Sequence, residues 1–592
     1  VYYVAQKAAR SIGTNNVDNA ARVCHSPSSV ALKQTVGVGA SSCSYADWIG
    51  TDLLVFVGSD IANNQPVTTK YLYYAKQAGS QMAVINPYYE PGMARYWVPS
   101  VPESAVMGTK LMDDFYQIDT GGDIAFLNGT LKHLIEQDWV DHDFIEQHTA
   151  GWDEVVAALA AQDWETLERF SGTTRAEMVR FAERIHQART GIFVWSMGIT
   201  QHSFGVQNVK AIVNLALSQG WLGKEHCGVV PIRGHSGVQG GAEVGAVPDA
   251  FPGGAAVNAE NAAKFAEQWG FPVPAAAGMR AVEMIDAAHD GLLDALYCSG
   301  GNFLEILPDP AYVREALDAL KLRVHQDIYL TTQMLLDPAD TVVLLPAQTR
   351  YEQRGGGTET STERRIIFSP TIPGPRIGEA RSEWEIFQDL AARVHPEYAE
   401  KLHFADAQAI RDEIARVMPN YAGIERLRKQ GDQVQYGGRF LYANGQFKTP
   451  DGKGHFFALT PPELAMPEGT FTLSTRRGKQ FNSIVYKQTD TMTGAGRDSL
   501  LMSAEDARAL GVQTGDRVCV QSDNGASMEF RVRVDRIKPR NVQAFWPECN
   551  ALIRRRVCDI AAGVPDYNAL VTLTPIRAGE REPVAAAAGA GA

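Results

Sequence analysis

The chain has 592 residues, 45% hydrophobic and 21% charged, with a formal net charge of −13 at neutral pH. That length exceeds what one hydrophobic core needs and predicts roughly three to five domains. The balance is that of an ordinary globular protein; its acidity argues against a general nucleic-acid binder, and no apolar run is long enough to cross a bilayer.

Val1 to Ile12 carries apolar and aromatic residues at helical spacing and is broken by Gly13-Thr-Asn-Asn16. The chain starts inside a helix, so a segment upstream of Val1 is expected, the place for any leader or cluster-binding motif. The stretch Ala21-Arg-Val-Cys-His-Ser-Pro-Ser-Ser29 follows. Pro27 argues against a long helix through its middle and places Cys24 on a turn where a helix is about to start. There, backbone N–H groups and Arg22 are expected to lower the thiol pKa and suit it to a soft metal. A lone cysteine is ordinarily a small buried hydrophobe and a lone histidine a structural hydrogen bonder, so the pair gains meaning only from the rest of the chain.

Asp52-Leu-Leu-Val-Phe-Val57, ending in Gly58, reads as a buried parallel strand. With the helical stretch 68–78 and the strand 81–86, ending in Asn86, it makes a βαβ unit. Gly58 and Asn86 then stand at strand carboxyl ends, where open α/β sheets bind ligands. Helices are predicted over 123–136, behind Gly121 and Gly122, and from about 172 to 188 with Thr174 and Glu177 as a capping box. Strand 191–196 leads into Met197-Gly198, and 208–218 is helical. The Gly-rich run 228–241 is read as one long functional loop. Further strands are predicted at 296–299, ending in Gly300-Gly301-Asn302, at 323–327 and at 341–346. A polar Gly-rich loop over 353–365 precedes helical stretches at 379–394 and 405–417. Past Met466 the texture becomes short alternating strands, at 472–475, 517–521 and 528–534, with a capped helix over 503–510 stopped by Gly511. This is a mainly β domain, a barrel. The Ala/Gly tail 584–592 is low-complexity and expected to be disordered.

Seven scattered cysteines with no CxxC encode neither a zinc site nor an iron–sulfur cluster in this stretch, and fit a reducing, cytoplasmic compartment. No strand is followed by GxGxxG, so simple nicotinamide binding is a poor reading. In order, however, the motifs are specific. Gly13-Thr-Asn-Asn-Val-Asp18 leading to Cys24-His25, Pro231-Ile-Arg-Gly-His-Ser-Gly-Val-Gln-Gly240, Leu344-Leu-Pro-Ala347 with Gly355 to Thr360 and Glu363-Arg-Arg365, and Thr472 to Ser483 with Ser503 to Val518 resemble the molybdopterin oxidoreductase family. The resemblance is greatest to the catalytic subunit of molybdenum- or tungsten-dependent formate dehydrogenases and covers nearly the whole chain.

The resemblance implies a multidomain α/β protein, with Rossmann-like parallel-sheet domains around a bis-pterin cofactor and a C-terminal six-stranded-type β-barrel. Residues 1–20 with 236–350 would form one α/β domain, 21–235 a dinucleotide-binding domain carrying the ligand cysteine, 351–466 a connecting segment and 467–583 the barrel. It implies a molybdenum (or tungsten) bis-molybdopterin guanine dinucleotide with Cys24 as the protein's metal ligand. Gly58, Asn63, Asn86, Gly122 and Asp123 would serve one pterin dinucleotide. Met197, Gly198, Gln201, His202, Gly301 and Asn302 would serve the other. Gly234 and Gln239 belong to the Arg-Gly…Val-Gln-Gly segment, and Arg476, Gly478, Lys479, Gln480 and Asn550 would close over both. Taken singly, Arg476 and Arg477 read equally well as a solvated basic turn.

Formate is the implied substrate. Arg233 would fork its carboxylate, and His25 would manage a proton or orient the C–H bond. The two electrons would pass to a [4Fe–4S] centre, expected in the missing N-terminal segment or on a partner subunit with iron–sulfur or flavin centres. Position 24 is Cys rather than selenocysteine, and His235-Ser-Gly237 points to a less characterised branch. The alternatives are a relative acting on another small oxyanion or an N- or S-oxide, and a non-catalytic cofactor-bearing subunit.

Overall fold

The computed structural model describes residues 1–577 except 236, 465, 479, 480, 483 and 484. Lys479, Gln480 and the tail 584–592 lie outside the described residues.

A five-stranded parallel sheet forms the first layer structure: β1 (Leu53–Val57), β2 (Gln81–Ile85), β3 (Asp114–Tyr116), β4 (Gly191–Trp195) and β5 (Gly228–Pro231), in the order β3-β2-β1-β4-β5. Every residue of β1 is buried, because Leu53, Val55 and Val57 enter the core on one face while Leu54 and Phe56 enter the core on the other. Burial on both faces is why the strand reads as a continuous apolar run rather than an alternation. The order reverses at β1: the chain runs outward through β2 and β3, then returns to β4 on the opposite side. That reversal opens a crevice at the carboxyl ends of β1 and β4. The strand 191–195, an echo of the first unit in sequence, is thus β1's direct neighbour in space.

A second parallel sheet holds β6 (Ala295–Ser299), β7 (Leu322–Asp327) and β8 (Thr341–Pro346), in the order β8-β7-β6. It packs on helices Ala281–His289 and Pro310–Ala319 through Leu296, Cys298, Ile285, Val313 and Leu317. Two predicted loops are more ordered than their glycines suggested. The run 228–241 divides into β5, a six-residue connection and a short helix, Val238–Glu243. Within 353–365, β9 (Gly357–Thr360) pairs antiparallel with β10 (Arg365–Ser369), which pairs with β11 (Gln433–Gln435). Backbone hydrogen bonding overrode local composition in both.

The C-terminal part is a closed barrel of β12 (Thr470–Arg476), β13 (Ser499–Met502), β14 (Arg517–Ser522), β15 (Ser527–Val534), β16 (Asn541–Phe545) and β17 (Asn568–Ile576), in the order β12-β16-β13-β15-β14-β17. Closure leaves no free edge. Its inward side chains, among them Leu473, Leu500, Val518, Val532, Val542 and Val571, form their own core. Helix Ser503-capped Ala504–Leu510 stops at Gly511, whose φ is 67°. Among the described residues no helix is long and apolar enough to cross a membrane.

Candidate active site

Cys24 sits where two short helical pieces meet. The helix Arg22–Val36 is broken at His25, with φ −125° and ψ 18°. The N–H groups of Cys24, His25 and Ser26 all converge on the Ala21 carbonyl, at 3.2, 3.0 and 3.0 Å. Pro27, which has no N–H to give, then occupies the first turn of the main segment. The expected turn before a helix is therefore present, as a kink inside one continuous helix. Its backbone is held over the β1/β4 crevice: Thr200 Oγ1 donates to the Cys24 carbonyl at 2.6 Å and Gln201 Nε2 to the Val23 carbonyl at 2.9 Å.

The charges around the thiol differ from those expected. Arg22 does not act on it; that guanidinium bonds Asp18, Ser26, Asp249 and the Ala562 carbonyl. Burial pushes the Cys24 thiol up rather than down, and the groups pulling it back are Arg477, Arg233 and the Gly234 N–H. Arg233 is 7% exposed. One terminal nitrogen donates to Ser29 Oγ and the Gly39 carbonyl at 3.1 and 2.9 Å, and its Nε has no partner among the described residues. Arg477 lies 4.2 Å over the Trp546 ring and touches Met197 Sδ. Neither guanidinium has a carboxylate within ion-pair distance among the described residues, so a buried cation, Arg233, and a partly buried one, Arg477, face one thiol in an acidic protein.

His25 is 1% exposed. Trp195 Nε1 donates to Ser28 Oγ at 2.9 Å, and Ser28 Oγ stands 3.0 Å from His25 Nδ1. The two contacts fix the orientation of the imidazole ring. Burial, then the Arg233 charge, lowers the His25 pKa to about 3.

Around this centre the other expected residues fall into three groups. At the crevice floor, Gly58 and Gly198 touch back to back. Gly58 has φ +56°, and a Cβ on Gly198 would stand 2.6 Å from the Gly58 carbonyl oxygen. Asn63 is 2% exposed, and neither side-chain polar atom has a well-formed hydrogen bond. Asn86 continues β2 by bonding the Tyr116 carbonyl. Gly122 lies against Ser171, where a Cβ would meet a carbonyl at 2.7 Å. It precedes Asp123, whose carboxyl burial raises to about 6 while His202 pulls it down. His202 is held by the Gly198 carbonyl at 2.9 Å and Asn568 at 3.3 Å.

In the second group, the barrel turn at Asn550 meets the loop after β6. Asn550 Nδ2 donates to the Glu305 carbonyl and Asn302 Nδ2 to Thr332, while both amide oxygens lack partners. Gly301, at φ +80°, has open space where a Cβ would stand. Tyr567 links this group to the centre, its hydroxyl donating to the Ile306 carbonyl and its N–H to the Gln201 carbonyl.

The third group is Gln239, whose Nε2 donates to Glu243 and Tyr436 while its Oε1 is unpartnered. Gly478 is buried at the barrel's inner edge. Arg476 belongs elsewhere than expected. It is buried, not a solvated turn, and its fork closes on Glu90 at 2.8 and 2.9 Å. The cation left for a ligand is its neighbour Arg477, which the motif could not separate from it.

This set fits a large anionic cofactor with a soft metal. Bare glycine backbones at strand ends admit pyrophosphate; the amide oxygens of Asn302, Asn550 and Gln239 are free to accept from ligand N–H groups; two guanidiniums without an ion-pair carboxylate suit anions. Among the described residues no three or more His, Cys, Asp or Glu side chains gather to hold a metal ion. A metal at Cys24 would therefore need its remaining ligands from a bound group, as pterin dithiolenes provide.

A parallel-sheet cofactor fold with a lone cysteine at its switch point and a closing barrel defines a pterin-dependent metalloenzyme class, and comparison with known proteins agrees. Residues 1–393 match the Molybdopterin oxidoreductase family model and residues 471–571 the Molydopterin dinucleotide binding domain. The chain belongs to the molybdopterin oxidoreductase family. It is 33% identical to the F420-dependent formate dehydrogenase 1 subunit alpha of Methanococcus maripaludis, over 88% of this chain and 76% of that one. It is 30% identical to Protein YdeP of Escherichia coli, over 97% and 79%, and 29% identical to formate dehydrogenase H of the same organism, over 95% and 78%. Among solved structures, acetylene hydratase from Pelobacter acetylenicus superposes with a TM-score of 0.70 at 16% identity, over 96% of this chain and 84% of that one, a likeness of fold.

Proposed function

We propose that the chain is the catalytic subunit of a formate-dehydrogenase-like enzyme, oxidising formate to CO2 and passing two electrons to an iron–sulfur centre. The observation that carries this reading is the placement of Arg233 beside Cys24, with a guanidinium edge that no carboxylate occupies. The formate dehydrogenase relatives support it. Cys24 would ligate the molybdenum or tungsten; the glycines at the β1 and β4 ends, Asn63, Asn302, Asn550 and Arg477 would hold the two pterin dinucleotides. When bound, that cofactor supplies the two-electron sink.

The chain's own residues do the rest. Arg233 presents its charge and an unpartnered Nε–H to a carboxylate. Its position is fixed by Ser29 and Gly39 on one side and by its own N–H, 3.1 Å from Thr362 Oγ1, on the other. His25, neutral and pinned through Ser28 to Trp195, is held in one orientation and positions the bound anion rather than exchanging protons. Enclosure of the thiol, 4% exposed, keeps bulk water from the reacting atoms.

The test is metal analysis with formate-dependent dye reduction. Cys24→Ala is expected to fold and to lose activity by more than about 1,000-fold. Arg233→Lys keeps the charge and loses the Nε–H donor and its planar anchoring; the expected result is a formate KM raised about 10- to 100-fold with a smaller change in kcat. Fully metallated wild type that reduces no dye with formate sinks the reading.

A further inference from the structure

Two imidazoles stand near Cys24, and they differ in a way the reaction needs. His25 is enclosed and tied to Ser28. His235 is one residue beyond Gly234, whose N–H points at the Cys24 thiol, and its ring is open to water. No hydrogen-bond partner reaches either ring nitrogen of His235 among the described residues. A Cβ on Gly234 would meet no atom within 4 Å, and Gly237 adopts φ +70°.

Resting on the formate reading above, we propose that His235 is the proton acceptor of the site, taking the proton released at Cys24 and passing it to solvent. Formate, HCOO−, becomes CO2 by loss of two electrons and one proton. Breaking the C–H bond leaves an electron pair, for which the bound cofactor would be the sink, and a proton, which needs a base that water can reach. His25 has no route outward. His235 has one, and its imidazole is neutral at pH 7 because burial and then the Arg477 charge lower its pKa. The charged and titratable groups around it are Arg477 on the barrel, Arg233 on its own loop, Cys24 and His25 on the kinked helix, and Glu359 of β9, whose Cβ lies 3.4 Å from where a Gly237 Cβ would stand. Glu359 is paired with Arg350, which leaves His235 as the group free to accept.

The first readout does not need activity. Diethyl pyrocarbonate labelling of the cofactor-free protein, read by peptide mass, is expected to modify His235 and spare His25. A His235 left unmodified overturns the proposal. The second uses the holoenzyme. His235→Ala is expected to lower kcat at least 10-fold with KM changed less than threefold and the acidic limb of the kcat–pH profile lost, and added imidazole is expected to restore the rate in proportion to its concentration. An undiminished kcat, or a low one that imidazole does not raise, also overturns it. Holoenzyme of wild type that fails to oxidise formate counts against the substrate reading instead, while the labelling result still decides whether His235 is the accessible base.

Discussion

Asp123 shows how burial outweighs a helix dipole at a single side chain. It begins the helix Asp123–Glu136, where the N-terminal dipole favours a carboxylate, yet it is 6% exposed and burial wins, raising its pKa from 3.8 to about 6. A carboxyl raised on folding contributes stability that is full below its unfolded pKa and lost as pH rises through its folded one. The cofactor-free protein is therefore strained at neutral pH by up to about 3 kcal/mol at this residue. Asp123→Asn mimics the protonated form. Its expected signature in urea unfolding is a stability gain over wild type at pH 8 that is roughly halved at pH 5 and vanishes only below about pH 4. A gain independent of pH would assign the effect to packing instead of charge.

At the scale of elements, the crevice depends on how closely the β1 and β4 ends approach. The Gly198 N–H bonds the Gly58 carbonyl at 3.2 Å, so both residues must lack a side chain. Gly198→Ala pushes a methyl against backbone, not against a flexible side chain, so relief requires the two strand ends to part. A loss of about 1–3 kcal/mol is expected, with lower molybdenum content per chain; wild-type stability and metal content together would contradict the contact. Much of this was legible. Continuous apolar runs ending in Gly58 and Met197-Gly198 gave the strands and their ligand-facing ends, since fully buried strands cannot carry polar residues. The pairing of those two ends was not legible, because adjacency of β1 and β4 is set by sheet order rather than by local pattern. Nor was the helix Val238–Glu243, whose glycines favour loop locally and are overruled by packing. The charge on Cys24 failed for a similar reason: Arg22 is nearest in sequence, but Arg233 and Arg477 are nearest in space.

Across the whole molecule, the barrel is a lid whose latch is Arg476. Its fork on Glu90 and its approach to Asp60, at 3.6 Å, join the first barrel strand to the loops after β1 and β2, 386 residues away. Tyr88 lies beneath the guanidinium at 4.7 Å and donates to Asp535, and Asn541 bonds both Asp119 and the Thr120 N–H. Sequence could not tell Arg476 from Arg477, because only the tertiary fold supplies Glu90 to one and the Cys24 pocket to the other. Removing the latch leaves two acidic groups facing each other in the interior: burial and Glu90 already hold the Asp60 carboxyl well above its usual range. Arg476→Gln is expected to cost about 3–5 kcal/mol at the barrel's seat. Because the barrel keeps its own core, the loss should appear as undocking. In calorimetry a single wild-type transition divides in two, and hydrogen exchange rises at 58–64 and 88–92 while β14 and β15 stay protected. A uniform fall in melting temperature with no change in exchange pattern would place Arg476 in the general core and leave the barrel without a latch.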